Sequence, residues 1–116
     1  MYEYKASLRE VVDGDTLDVL IDVGFKMSTE QRIRLKGINT PEIWRRKKDS
    51  EEYQKGMLAK EYVIRRLGEN QNEFIIRTDK DPGVYGRYIG QILLADSSKS
   101  LNEELLEAGH AVPYTR

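Results

Sequence analysis

Val11-Val12-Asp13-Gly14-Asp15-Thr16-Leu17-Asp18-Val19-Leu20-Ile21-Asp22-Val23 reads as two strands that meet at a turn. Leu17, Val19, Ile21 and Val23 alternate with Thr16, Asp18, Leu20 and Asp22, the period of a strand whose odd residues face a core. Upstream, Tyr2, Tyr4, Ala6 and Leu8 alternate with polar residues, and Val11-Val12 carries that strand to Asp13. Asp13-Gly14 is then the tight hairpin turn, since glycine accepts a positive φ. Asp15 lies at the mouth of the return strand and points away from Thr16.

Outward from this hairpin, Gly24 to Ser28 is expected to be a loop and Glu30 to Gly37 a third strand, with Ile33 and Leu35 on one face and Arg32, Arg34 and Lys36 on the other. Thr40-Pro41 ends it, because proline lacks the ladder donor and holds its predecessor extended. Ser50 caps a helix with Glu51 and Glu52 in its first turn, running to about Leu67 with Gly68 as its stop. Its apolar stripe of Leu58, Ala59, Tyr62, Val63 and Leu67 is interrupted by Arg66. Glu73 to Thr78 and Gly86 to Ala95 form two further strands, joined by the turn formers Asp79 to Gly83. Ser100 and Glu103 have capping-box spacing before Leu101, Leu105 and Leu106, and Gly109 stops this second helix. Five short strands in the order β-β-β-α-β-β-α predict an α+β fold, a five-stranded barrel of the oligonucleotide-binding type. All 116 residues are expected to form one domain, since a chain of this length buries a single modest core.

With 39% hydrophobic and 34% charged residues the chain is of the soluble globular class, and no apolar run approaches the roughly 20 residues that span a bilayer. A membrane partner is therefore not expected. The absence of cysteine removes disulfide and thiolate chemistry. Met1 to Lys5 has no basic region ahead of an apolar core, which points to the cytoplasm, or to secretion if a leader was removed. A net charge of -1 excludes a polycation that coats nucleic acid by bulk electrostatics. Local charge must act instead, and Arg45-Arg46-Lys47-Lys48 reads equally as a basic rim or as a solvated loop. Trp44 is expected to anchor the loop after Glu42, with stacking on substrate as the alternative, and His110 to be a surface residue at a helix exit.

Asp13-Gly14-Asp15-Thr16, Thr40-Pro41-Glu42 and Tyr85-Gly86-Arg87, together with Arg34, combine acids for a hard cation and a water with two arginines for a phosphate. That is the equipment of metal-assisted phosphodiester hydrolysis.

Through these three motifs, Arg34 to Glu42, and Leu101-Asn102-Glu103-Glu104-Leu105 followed by Gly109, the chain resembles the staphylococcal nuclease (thermonuclease) family over nearly its whole length. The resemblance implies a calcium ion held by the Asp15 carboxylate, the Asn39 side chain and the backbone oxygen of Thr40, with Glu42 orienting or deprotonating the attacking water. Arg34 and Arg87 match the arginines that bind the scissile phosphate, and Tyr85 and Tyr114 match positions near a bound nucleotide. DNA and RNA are the implied substrates, preferably single-stranded, cleaved at the 5′-oxygen to leave 3′-phosphate ends. Asn39 departs from the family's usual aspartate, which lowers the expected calcium affinity and opens the site to another divalent cation. It also supports an alternative, a nucleic-acid-binding module that does not cleave. The family's third, C-terminal helix is expected to be lacking, with Val112 and Tyr114 exposed, covered by sequence removed from the chain, or paired with another copy in a monomer or weak homodimer.

Overall fold

The computed structural model describes residues 2–44, 46–80 and 88–114. Along the chain lie β1 (Tyr2–Asp13), β2 (Thr16–Gly24), β3 (Met27–Leu35), β4 (Ile38–Asn39), α1 (Glu51–Gly68), β5 (Glu73–Lys80), β6 (Tyr88–Leu93), α2 (Leu101–Glu107) and β7 (Val112–Pro113). Five strands close a barrel in the order β1-β2-β3-β6-β5, and β5 pairs back onto β1. β3 and β6 run parallel, while the other barrel neighbours are antiparallel. The mixed barrel with two helices is the expected oligonucleotide-binding type, and the short β4–β7 pair is an addition to it.

In β1 the inward face changes parity, from Ala6 to Val11, because the register shift at Leu8/Glu10 inserts one extra residue into the strand. Along β2, Leu17, Val19 and Ile21 are buried as the alternation predicts, but Val23 is exposed. β1 leaves β2 at the Ala6↔Ile21 pair and continues against β5 alone. Beyond Ile21, β2 and β3 therefore form a two-stranded ribbon with no barrel wall behind it. The expected Gly24–Ser28 loop shrinks to Phe25-Lys26, whose φ angles of 55° and 60° make a tight turn, and β3 starts at Met27.

α1 buries Ala59, Val63 and Leu67, whereas Leu58, assigned by its spacing to the apolar stripe, faces solvent. The helix continues through Gly68. The left-handed residues that reverse the chain are Gln71 and Asn72, at φ 58° and 57°, so Gly68 is not the stop. α2 carries the predicted capping box on Ser100 and Glu103. Its buried Asn102 donates from Nδ2 to the carbonyls of Lys36 (2.8 Å) and Gly90 (3.1 Å), and its Oδ1 accepts from Ile92 N–H (3.2 Å). One side chain thus satisfies the backbone groups where the parallel β3–β6 ladder ends. Among the described residues, no helix is long and apolar enough to cross a membrane.

Candidate functional site

The β1–β2 turn lies one residue further on than the sequence indicates, because Asp13 pairs with Thr16 and leaves Gly14-Asp15 as the turn. Gly14 is not among the glycines with positive φ. It is required for space: a Cβ there would meet the Cβ of Ala59 in α1 at 2.8 Å and the Thr40 side chain at 3.0 Å. This contact brings the turn, the β4 exit and α1 together, and Asp15 sits at their junction.

Asp15 is buried, and its bonds run to two neighbouring segments. Its Oδ2 accepts from Thr40 N–H (3.1 Å), its Oδ1 from the Thr16 hydroxyl (3.0 Å), and its carbonyl from Leu35 N–H (2.8 Å). Arg34 follows from the β2–β3 register, in which Thr16 lies opposite it. The guanidinium Nη2 stands 3.6 Å from Asp15 Oδ2 and donates to Asn39 Oδ1 (2.8 Å), while Nη1 donates to Ile38 O (3.2 Å). Its Cζ lies 4.8 Å from the Tyr114 ring centroid. β7 pairs with β4 and delivers Tyr114, whose N–H reaches Gly37 O (2.9 Å). Tyr114 therefore packs on the arginine instead of standing exposed in solvent.

Glu42 is exposed on the following loop. Its Oε2 pairs with Arg46 Nη2 (3.3 Å), Arg46 Nε reaches Glu52 Oε2 (3.3 Å), and Glu42 N–H donates to Glu52 Oε1 (3.4 Å). The loop is thus clasped to the first turn of α1. Asp15, Arg34, Asn39, Thr40 and Tyr114 are linked by the contacts above, and Glu42 lies two residues past Thr40. Tyr85 and Arg87 lie outside the described residues, as does Arg45 of the basic run. A pocket of about 510 Å³ opens beside Thr40 and Pro41, walled by Glu51, Glu52, Lys55 and His110. His110 is half-buried, its ring 5.0 Å from that of Tyr62.

Asp13 is the member that motif reading undervalued. Burial first, then the Asp15 and Glu42 carboxylates, push its carboxyl from the usual 3.8 up to about 6, against the opposing pull of Lys60. The folded chain thus keeps a proton up to about pH 6 that the unfolded chain releases near pH 4. Stability contributed at this position accordingly falls as pH rises through that window. Asp13→Asn is expected to stabilise the metal-free protein at pH 7 by about 1 kcal/mol, after discounting for the solvent that reaches the group. The gain should vanish at pH 4. Urea midpoints of both proteins at the two pH values check this, and an equal difference at both would contradict it.

The donor set fits a hard cation. Among the described residues, Asp13 Oδ1 and Thr40 Oγ1 are buried without a hydrogen-bond partner, and Asp13 already feels the repulsion of two neighbouring carboxylates. Excess negative charge and unused oxygens are what a divalent ion relieves. Side-chain carboxylates alone do not complete a shell, since among the described residues no group of three or more histidines or acids is arranged to hold a metal. The Thr40 carbonyl, the Asn39 amide and waters would have to supply the rest.

A family model described as staphylococcal nuclease homologue matches residues 32–116. The match takes in Arg34, Asn39, Thr40 and Glu42 and starts after the Asp13–Thr16 turn, so Asp13 and Asp15 rest on the geometry above. An uncharacterized protein of Methanocaldococcus jannaschii is 32% identical over 129 aligned residues, which cover 96% of this chain. The chain spans 59% of that relative's length.

Proposed function

The chain belongs to the staphylococcal nuclease homologues, and from that premise we propose that it is a metal-dependent phosphodiesterase of DNA and RNA that prefers single strands. The observation that carries the reading is the Arg34 guanidinium held 3.6 Å from the buried Asp15 carboxylate, with Thr40 N–H on the same carboxylate oxygen. Cation-binding and phosphate-binding groups then share one wall. Asp15, Asn39 and the Thr40 carbonyl would hold calcium or another divalent ion. Bound there, the ion supplies Lewis-acid polarisation of the phosphoryl oxygen and a lowered pKa for water.

The chain's own residues do the rest. Glu42 accepts the proton of the attacking water, which it can do once the exposed Arg46 pair opens. Arg34 and Arg87 donate to the non-bridging oxygens as charge develops, acting electrostatically because a guanidinium is a poor proton donor. The described bonds of Arg34 use Nη1 and Nη2, leaving Nε–H for the phosphate. Tyr85 and Tyr114 offer ring faces to a base. The 5′-oxygen leaves and a 3′-phosphate remains.

Incubation with single-stranded DNA and RNA in calcium, magnesium, manganese or chelator tests the reading. Cleavage with a divalent ion, none in chelator, and 3′-phosphate ends are expected. Cleavage that persists in chelator would exclude the metal. Binding without cleavage under every ion would favour the second reading, a non-catalytic nucleic-acid-binding module. That alternative draws on one observation: Asn39 Oδ1 already accepts from Arg34 at 2.8 Å and brings no charge to the cation.

Asn39→Asp separates the two. The added carboxylate is expected to tighten calcium binding at least about tenfold, since one more charge near a cation is worth more than about 1.4 kcal/mol even at an effective dielectric of about 20. Activity at low calcium should rise with it. Arg34 Nη2, already on this side chain, would offset the repulsion from Asp15 in the metal-free state. Calorimetric titration that gives the wild-type affinity would put residue 39 outside the metal shell.

A further inference from the structure

Trp44, the chain's single tryptophan, stands two residues beyond Glu42 with 67% of its surface exposed. Most of the ring is thus open to solvent. The loop is fixed by the Arg46 pairs with Glu42 and Glu52 and by Ser50, whose hydroxyl donates to Lys47 O (2.7 Å). The loop also packs tightly on α1 at Gly56, where a Cβ would meet Ile43 at 2.5 Å and the Pro41 carbonyl at 2.6 Å. The indole is thus presented to solvent by a loop that is itself held. Lys47 and Lys48 follow it, both exposed, and neither ammonium has an ion-pair partner among the described residues.

We propose that Trp44 is a stacking platform for an unpaired nucleic-acid base, with Lys47 and Lys48 on the adjoining phosphates. The inference rests on the nuclease reading of the neighbouring site and adds a subsite to it. Two residues of chain span at most about 7 Å, the length of about two stacked nucleotides. The stacked base therefore lies next to the scissile linkage, on the side of Glu42. An indole face accepts any base, so this subsite adds grip without sequence choice, and a paired base in a duplex is not available to it. Two exposed lysines three and four residues beyond one large exposed aromatic ring match a polyanion with exposed π faces better than an apolar partner.

The single tryptophan makes the test direct. In chelator, wild-type protein is titrated with a short single-stranded oligonucleotide, following Trp44 emission and, separately, the anisotropy of a labelled oligonucleotide. Quenching should track binding, and a blunt duplex should quench far less. Trp44→Ala is expected to weaken binding about 5- to 150-fold, the range for losing one base–aromatic stack. KM in the presence of metal should rise with it while kcat stays within about twofold. Trp44→Phe should recover most of the loss, and an abasic oligonucleotide should bind wild type and Trp44→Ala alike. Binding with unchanged emission, or wild-type affinity in Trp44→Ala, overturns the stacking role and leaves the nuclease reading standing. If wild type neither binds nor cleaves single strands, both fall together.

Discussion

Arg66→Met is expected to destabilise the domain by about 2–4 kcal/mol, somewhat below the roughly 3–5 kcal/mol for breaking a wholly buried ion pair, because part of the cluster reaches solvent. Arg66 donates to Asp96 through Nη1 (3.0 Å) and Nη2 (2.8 Å), to Glu104 through Nε (2.7 Å) and Nη2 (3.2 Å), and to Glu69 through Nη1 (2.7 Å). Its side chain and that of Glu104 are only 14% and 12% exposed. Methionine fills the apolar part of the space but leaves Glu104 with the Tyr62 hydroxyl (3.2 Å) and Ser97 in place of the guanidinium. These bonds hold the Arg66 guanidinium well above its usual range, Asp96 contributing most, and hold Glu104 below its own. The Glu104 contribution is present above its unfolded pKa and is lost as pH falls through its lower folded value. Urea denaturation at pH 7 should show the full loss, shrinking in acid. Adding Glu104→Gln to Arg66→Met should cost less than the sum of the two single changes. Strict additivity would mean that the two side chains do not act as a pair.

Arg66 also marks where the sequence stops being informative. On a helical wheel it interrupts the stripe of Ala59, Val63 and Leu67, and its one local partner, Glu69 at i+3, leaves most of its bonds unexplained. Asp96 and Glu104 lie 30 and 38 residues away in the chain, so only the folded barrel brings them to it. The β1–β2 hairpin, by contrast, is legible because alternation and turn chemistry sit within one short stretch. The ribbon beyond Ile21 misleads for a related reason: Val23 keeps the alternation although the wall it would face has left for β5. At the site, Asp15, Arg34, Thr40 and Glu42 stand in the motifs and Asn39 enters through the family resemblance; contacts join Asp15, Arg34, Asn39 and Thr40. Gly14 was assigned to the turn for its φ, whereas its reason is the 2.8 Å approach of Ala59, a contact made by a helix some 45 residues on. The elevated carboxyl of Asp13 and the Arg46 clasp depend on burial and on partners from other segments, which no motif encodes.

Glu42→Gln is expected to lower kcat about 10²- to 10⁴-fold, the usual worth of a positioned general base, which corresponds to about 3–5 kcal/mol of barrier. It is a cleaner probe than Arg34→Ala. Arg34 is tied to Leu35, Ile38, Asn39, Asp15 and Tyr114, so its removal mixes lost transition-state stabilisation with a loosened β4–β7 corner. The Glu42 side chain is 50% exposed, and its described bonds are a surface pair with Arg46 and a backbone contact to Glu52. Stability should therefore change by less than about 0.5 kcal/mol at neutral pH. Glutamine keeps the shape and removes only the capacity to take a proton, so KM and oligonucleotide affinity should hold while turnover falls. Because the Glu42 charge is one of the causes that raise the Asp13 carboxyl, the same variant should also narrow the pH window through which metal-free stability falls as pH rises, moving its upper end toward lower pH. That second readout shows that the charge has been removed from the site even if activity does not respond. Wild-type turnover with a narrowed window would mean that Glu42 faces the acidic cluster without acting on water. The proton acceptor would then have to be sought at Asp13, a carboxyl already raised to about 6 and carrying a buried oxygen that has no hydrogen-bond partner among the described residues.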